Sequence, residues 1–331
     1  MIAWELVDQG IDQLRHIERP DPTPGPGQLL VRVRAVSLNH RDLGMARRGV
    51  PAPLIPASDG AGEVVGIGPA VTQWQTGDRV MANFFQSWID GSWHPRYGAS
   101  ALGGAIDGML AELVVLEEDA VVTVPEGWSY EEAATLPCAG VTAWNALYGG
   151  RVVRAGDLVV VQGTGGVSVF ALQLAVAAGA EVAATSSSDR KLETIAKLGA
   201  TVGVNYRTTP DWAAEIRARA GRAADHVVEV TGQLDASLEV AASNGTVTVI
   251  GTTLSTDGPA VEIHPSTILQ KCATIRGVYV GSTTMLRDLS RAMVVAGIRP
   301  VIDSAFPFDK AVDAYQAMLA ADHVGKIVVT V

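Results

Sequence analysis

The chain has 331 residues, 48% of them hydrophobic, enough for two packed domains rather than one. Its net charge of −10, with no basic run, argues against a nucleic-acid or anionic-membrane partner, and its two cysteines, Cys138 and Cys272, exclude a disulfide framework and a four-cysteine zinc lobe. The opening residues, Met1-Ile-Ala-Trp-Glu, have neither the charged nor the apolar region of a signal peptide, and no run of about 18 apolar residues could span a bilayer, so a cytoplasmic protein is expected.

Residues 1–20 read as two short strands around a polar turn, followed by a rigid Pro/Gly connector, Arg19 to Gln28. Leu29 to Val36 alternates valine with arginine and predicts a half-buried strand. Ser37 to Asp42 reads as a polar turn, Pro56 to Gly68 as a strand with a glycine-rich entry, and Thr76-Gly77-Asp78-Arg79-Val80 as a turn into another strand. The first 120 or so residues are therefore β-rich, as in a small barrel. Phe84 to Gly104 lacks any period but concentrates Phe84, Phe85, Trp88, Trp93, His94 and Tyr97; it reads either as a binding loop or lid, or as a self-packed surface loop. Ala111 to Val115 is a strand. Ser129 and Glu132 form a capping box at a helix start.

From Leu158 the pattern changes to regular β/α alternation. Leu158 to Val161 is a continuous apolar run, as expected for a parallel strand buried on both faces. It runs into Gly163, Thr164, Gly165, Gly166, Val167 and Ser168 and then an Ala-rich amphipathic helix; Glu181 to Ser186 is the next strand. Gly163, Gly165 and Ser168 fill the slots of a G-x-G-x-x-G fingerprint, with serine where the third glycine stands. That fingerprint between a strand and a helix predicts a dinucleotide site, with phosphates on the helix N-terminus. Further strands are expected at Thr201 to Val204, His226 to Val230, Thr246 to Ile250 and Thr274 to Val280, with helices at Asp189 to Leu198, Pro210 to Ala220 and Gln233 to Ala241. The fold class is thus α/β: a doubly wound parallel six-stranded sheet beside a β-rich domain. A helix from Thr283 to Ala296, a strand near Val301, a helix from Asp309 to Leu319 and a strand from Lys326 to Val331 complete the chain.

Several segments carry a resemblance: Pro24 to Gln28, Ser37 to Asp42, Gly60 to Gly66, Gly77 to Val80, Leu136 to Trp144, the Gly163 loop and Gly325-Lys326-Ile-Val. On these the chain resembles the medium-chain dehydrogenase/reductase superfamily, and within it the zinc-free, quinone oxidoreductase-like branch. The resemblance implies a GroES-like domain at 1–124 and 300–331, a Rossmann domain at 125–299, NADP(H) as cofactor, a homodimer, and hydride transfer to a conjugated carbonyl such as a quinone or enone. A zinc-independent alcohol or aldehyde dehydrogenase and a non-catalytic NADPH-binding protein are the alternatives.

In the zinc enzymes of that superfamily three residues ligate a catalytic metal; here their slots hold Asn39, Ser58 (with Asp59 beside it) and Cys138. One thiolate does not make a catalytic zinc site, so no metal is expected and Cys138 reads as a small buried residue. Ser186 stands where NAD-specific folds place a carboxylate, and Arg190 and Lys191 follow; the resemblance adds Lys191 and Tyr206 as 2′-phosphate contacts, against the reading of an ordinary exposed helix start. Thr231 and Gly251, just after two later strands, and Lys326 complete the cofactor candidates. Asn39 is the expected polarising donor, with Thr142 on the nicotinamide side. Tyr279, Tyr97 and His94 are possible proton donors. Phe84, Phe85, Trp88, Trp93 and Tyr97 would wall a flat substrate. Asp59 and Lys326 are expected to pair.

Overall fold

The valine–arginine alternation becomes the central strand of the first sheet. The computed structural model describes residues 1–50, 52–251 and 261–331. In chain order the first elements are β1 (Ile2–Leu6), β2 (Leu14–Glu18), β3 (Gln28–Ser37), α1 (His40–Arg48), β4 (Asp59–Ile67), β5 (Arg79–Ala82), β6 (Leu113–Glu117), β7 (Val121–Thr123) and α2 (Tyr130–Ala134). Leu29, Val31 and Val33 face the core while Arg32 faces solvent, as a period of two requires. The expected capping box is present: the Glu132 N–H donates to Ser129 Oγ at 3.1 Å and the Ser129 N–H to Glu132 Oε2 at 2.9 Å.

A second run of elements follows: α3 (Val141–Tyr148), β8 (Leu158–Gln162), α4 (Gly166–Ala177), β9 (Glu181–Ser186), α5 (Asp189–Lys197), β10 (Val202–Asn205), α6 (Trp212–Ala220), β11 (Ala224–Glu229), α7 (Leu234–Val240), β12 (Ala241–Val249), α8 (Pro265–Lys271) and β13 (Thr274–Gly277). Their six strands form one parallel sheet in the order β10-β9-β8-β11-β12-β13, the dinucleotide-fold order, which reverses between β8 and β11. All five residues of β8 are buried, as its uninterrupted apolar sequence predicts. The chain then returns through α9 (Thr283–Ala296), β14 (Ile302–Pro307), α10 (Ala311–Ala320) and β15 (Lys326–Thr330). β14 and β15 extend the first sheet, whose order is β14-β15-β3-β4-β5-β7, with β6 on the other edge of β3.

Residues 1–141 with 280–331 form one compact unit and 142–279 the other. Segments 125–141 and 280–299 bond into the first unit. The Cys138 N–H donates to Asp59 Oδ2, Thr283 N–H to the Trp88 carbonyl, and Arg299 to Gly127 and Glu132. Ser37 to Asp42 is also not a plain turn: Ser37 ends β3, Asn39 is the N-cap of α1, and its N–H is taken by Asp42 Oδ2 at 2.8 Å. Among the described residues no helix is long and apolar enough to cross a membrane.

In the second unit one histidine carries a buried charge question. His226 on β11 is 1% exposed, and its Nε2 contacts Arg151 Nη1 and lies 3.5 Å from Asp157 Oδ2. Arg151 also grips Asp157 with both of its terminal nitrogens, at 2.8 and 2.9 Å. An arginine can only donate, so Nε2 accepts and the ring is neutral, its proton on Nδ1. Burial, then Arg151, lower the imidazole from its ordinary value. An unfolded chain therefore takes up this proton first. The fold keeps the full contribution above about pH 6.5 and loses it as pH falls through 6.5 toward the lower folded value. In chemical denaturation from pH 8 to 5, His226→Asn should give a flatter stability curve than the parent below pH 6.5; parallel curves would contradict this account.

Candidate functional site

The glycine turn after β8 is built as a dinucleotide cradle. Gly163 has φ +74°, which favours glycine. Gly165 has ordinary φ, and a Cβ added there would meet no atom of the described residues within 4 Å. Nothing in the protein's own packing demands glycine at 165; open space in front of it is what an approaching phosphate needs. α4 begins at Gly166, so its first N–H groups face that space with the positive end of the helix dipole. Ser168 explains its own departure from the fingerprint: it is 2% exposed, and its Oγ donates to the Gln162 carbonyl at 2.6 Å, spanning the close helix–strand contact that a glycine would leave bare. These residues fit a nicotinamide dinucleotide.

Around the cradle, the expected contacts fall at the carboxyl ends of the strands. Ser186 ends β9, and the Tyr206 N–H donates to its carbonyl at 3.0 Å, so Tyr206, 39% exposed, stands beside it. Lys191, in the first turn of α5, is 4% exposed, while Arg190 beside it is open to solvent. The ordinary exposed helix start thus fits Arg190 but not Lys191. Thr231 follows β11, and its Oγ reaches Gln162 Oε1 at 2.8 Å. Gly251 follows β12, and a Cβ there would lie 2.4 Å from the Val230 carbonyl. Thr142, at the start of α3, is buried; Tyr279 is 55% exposed.

The first unit holds a different cluster, on the turn between β3 and α1. Lys326, at the start of β15, is 3% exposed and donates to the Leu38 carbonyl at 2.6 Å and to Asn39 Oδ1 at 2.5 Å. The Asn39 amide lies close enough to the Asp59 carboxyl to lower it, and its Nδ2 makes a long 3.4 Å contact with the Ser37 carbonyl. Asp59, fully buried, also accepts from Ser58 Oγ at 2.6 Å and from the Cys138 N–H at 3.0 Å. The expected direct pair of Asp59 and Lys326 is therefore not formed. Asn39 is inserted between the two charges, which still feel each other through it.

Burial dominates the electrostatics here. It raises Asp59 to about 6 against the pull of Lys326, and raises Asp42 against Arg41. It lowers Lys326, opposed by Asp59, and it pushes up the Cys138 thiol, helped by Asp59. A carboxyl with a raised folded value binds its proton more tightly in the fold, so stability falls as pH rises through the window from its ordinary value to about 6. Perturbed titratable groups gathered in one place make this cluster a candidate functional site. Sequence reasoning missed Asp42; its spacing of three from Asn39 was the available signal.

This donor set does not suit a zinc ion. Asn39 Oδ1 already binds an ammonium and Ser58 is spent on Asp59, which leaves Cys138 as the one ligand of the usual type. Among the described residues no group of three or more His, Cys, Asp and Glu could hold a metal.

The aromatic segment resolves toward self-packing. Phe84, Phe85 and Trp88 are at most 2% exposed, and their rings meet in sequence, edge-on and then tilted, at centroid distances of 4.5 and 5.9 Å. Trp93 and Tyr97 lie over them, Tyr97 parallel to Trp88 at 5.8 Å. Three of the five expected wall residues are thus core, because flat rings bury most surface against one another. Arg41 anchors the segment to α1, with its guanidinium 4.7 Å from the Phe84 ring centroid and bonded to the Leu102 carbonyl. Tyr97, with Ser87, Ile89, Asp90 and Arg96, lines an open hollow of about 530 Å³. The His94 Nδ1 is occupied by the Arg96 N–H.

Gly165→Ala separates ligand contact from packing. Folding stability should change by less than about 0.5 kcal/mol, while NAD(P)H affinity should fall about tenfold, the loss of one good hydrogen-bonded approach. Calorimetric unfolding and fluorescence titration measure the two, and equal affinity would remove Gly165 from the site.

Residues 25–126 match the alcohol dehydrogenase GroES-like domain, and residues 166–294 match the zinc-binding dehydrogenase domain. The chain is 43% identical over 333 residues to the zinc-type alcohol dehydrogenase-like protein C1773.06c of Schizosaccharomyces pombe, covering 97% of this chain and 96% of that one. It is 33% identical over 345 residues to the chloroplastic quinone-oxidoreductase QR1 of Triphysaria versicolor, covering 99% and 97%. A solved protein of Sinorhizobium meliloti 1021, provisionally named an alcohol dehydrogenase, superposes with a TM-score of 0.90 at 40% identity over the whole of both chains. Fold, cradle and relatives agree: the chain belongs to the medium-chain dehydrogenase/reductase superfamily and is an NAD(P)H-dependent oxidoreductase.

Proposed function

We propose that the enzyme reduces conjugated carbonyls, quinones or enones, with NADP(H) and without zinc. The observation that carries this reading is the Lys326–Asn39 bond in the turn where the superfamily's zinc enzymes begin their ligand set. A cation is already built into that place, and a second, divalent one would be repelled. Similarity to quinone oxidoreductases of plants supports the substrate class.

The bound nicotinamide supplies the hydride. What the protein must add is a donor for the negative charge that develops on the substrate oxygen. An unactivated alcohol needs its proton removed as well, which a metal ordinarily assists. A conjugated acceptor delocalises the charge, so one donor can suffice. The Lys326 ammonium on Oδ1 fixes the plane of the Asn39 amide and draws electrons from it, strengthening its N–H groups as donors. The amide hydrogen that makes only the 3.4 Å contact with Ser37 is the one left for a substrate oxygen.

The NADP(H) preference rests on Ser186, a hydroxyl where a carboxylate would repel a 2′-phosphate, with Tyr206 and Arg190 beside it and Lys191 in the same turn. A homodimer is supported by β13, an edge strand among the described residues with Ile275 exposed, and by the exposed Leu269 on α8.

An NADPH- and NADH-oxidation screen over quinones, enones, aldehydes and ketones, with and without chelator, tests this reading. Turnover of quinones or enones with NADPH, indifferent to chelator, is expected. Oxidation of primary alcohols without activity on conjugated carbonyls would overturn it in favour of an alcohol dehydrogenase. Asn39→Ala should lower kcat about a hundredfold, the usual cost of one oxyanion donor, while NADPH affinity hardly moves.

A further inference from the structure

Glu229 is a fully buried carboxylate for which neither the fold nor the hydride chemistry has yet given a use. It ends β11, and among the described residues no cation lies within salt-bridge distance of it. Its two oxygens are unlike. Oε1 accepts the N–H groups of three consecutive residues, Thr231 at 2.7 Å, Gly232 at 2.6 Å and Gln233 at 3.2 Å; the Thr231 hydroxyl, 3.0 Å away, gives its one hydrogen to the closer Gln162 Oε1. Among the described residues Oε2 accepts nothing. Burying a carboxylate with an orphaned oxygen is costly, and an apolar residue would serve a core better. What the carboxylate does is hold a turn.

Three successive backbone N–H groups that converge on one point form an anion-binding concavity. Here the anion is the protein's own side chain, and Gly232, at φ +83°, allows the backbone to curl around it. The turn lies at the carboxyl end of β11, beside the glycine turn that ends β8, where the strand order reverses. A parallel sheet binds its ligand in that crevice. One further side chain joins the two turns: Gln162, the residue before Gly163, accepts from the Val230 N–H at 3.4 Å and from Thr231 Oγ at 2.8 Å, while its own carbonyl takes Ser168 Oγ. Gln162 Nε2 donates one hydrogen to Ser237 Oγ at 2.7 Å, which in turn donates to the Gln233 carbonyl at 2.8 Å, so the same side chain also braces the far end of the turn.

We propose that Glu229 is a positioning residue for the cofactor: it pre-forms the Val230–Gln233 turn as one wall of the dinucleotide crevice, so that binding does not have to order it. This rests on the dinucleotide occupying the crevice of the second unit. Without the carboxylate three backbone donors lose their acceptor and the turn samples other conformations. Apparent affinity falls by the fraction of time the turn is correct, whereas the bound complex, once formed, reacts as before.

The test compares Glu229→Leu, which has no acceptor, with Glu229→Gln, which keeps one. Dissociation constants for NADPH and NADH are read by fluorescence titration, and kcat at saturating NADPH with a quinone. Glu229→Leu should weaken both cofactors about tenfold, corresponding to a turn ordered about a tenth of the time, with kcat within about twofold of the parent; Glu229→Gln should recover most of the affinity. Unchanged affinity in the leucine variant, a glutamine variant no better than leucine, or a loss confined to kcat would overturn the proposal. If the leucine variant does not fold, amide exchange of cofactor-free parent protein decides: Thr231, Gly232 and Gln233 should be protected, and rapid exchange at all three overturns it. A parent protein that binds neither cofactor would instead refute the assignment of the crevice.

Discussion

The first unit depends on one buried cation. Lys326 leaves water almost completely to bond the Leu38 carbonyl and the Asn39 amide. Those two bonds join the last strand of the chain to the turn after its third strand, across 288 and 287 residues of sequence. An ammonium is expensive to bury, and burial does lower it. The expense is met by acids gathered around it, Asp59 and Asp42, each itself raised by burial. None of these groups is stable there alone. Removing any one strands the others, which is why the cluster is better regarded as a single object than as a set of pairs.

Much of this fold was legible in the sequence. Uninterrupted valine at 159–161, alternation at 29–34, the serine–glutamate capping box at 129 and 132, and the glycine turn at 163–166 are local signals, and each is fulfilled locally. α9 spans Thr283 to Ala296 with the bounds its pattern predicts. What local pattern could not supply was partnership over distance. A charged pair, Asp59 and Lys326, was legible as two slots, but that an amide would be interposed between them depends on side-chain reach across two strands. The aromatic segment was legible as unusual, yet its lack of period left open whether its rings face a ligand or one another. They face one another because adjacent Phe84 and Phe85 both find buried partners within the segment itself. Glu229 gave no signal, since a glutamate at the end of a strand ordinarily reads as solvent-exposed.

The two units solve the same problem with opposite charges. Each must hold a short irregular segment in one conformation: residues 38–39 in the first, 230–233 in the second. Apolar packing is non-directional and would tolerate several conformations of either. A charge with few partners does not. Lys326 fixes the plane of an amide because ammonium hydrogens must find acceptors; Glu229 fixes a turn because one carboxylate oxygen can collect several N–H groups only when they converge.

The residual imbalance in each cluster then becomes informative. Asn39 keeps one amide hydrogen in a long, poor contact, and Lys326, with three donors, spends two. A structure built only for stability would have tightened that contact, since poorly satisfied buried donors are costly. Their persistence at a turn shared with a family of hydride-transfer enzymes is what a ligand oxygen would require. The open face of Gly165 makes the same argument in the second unit, with space in place of an unspent hydrogen. In both units the site is most visible where the protein's own packing is incomplete.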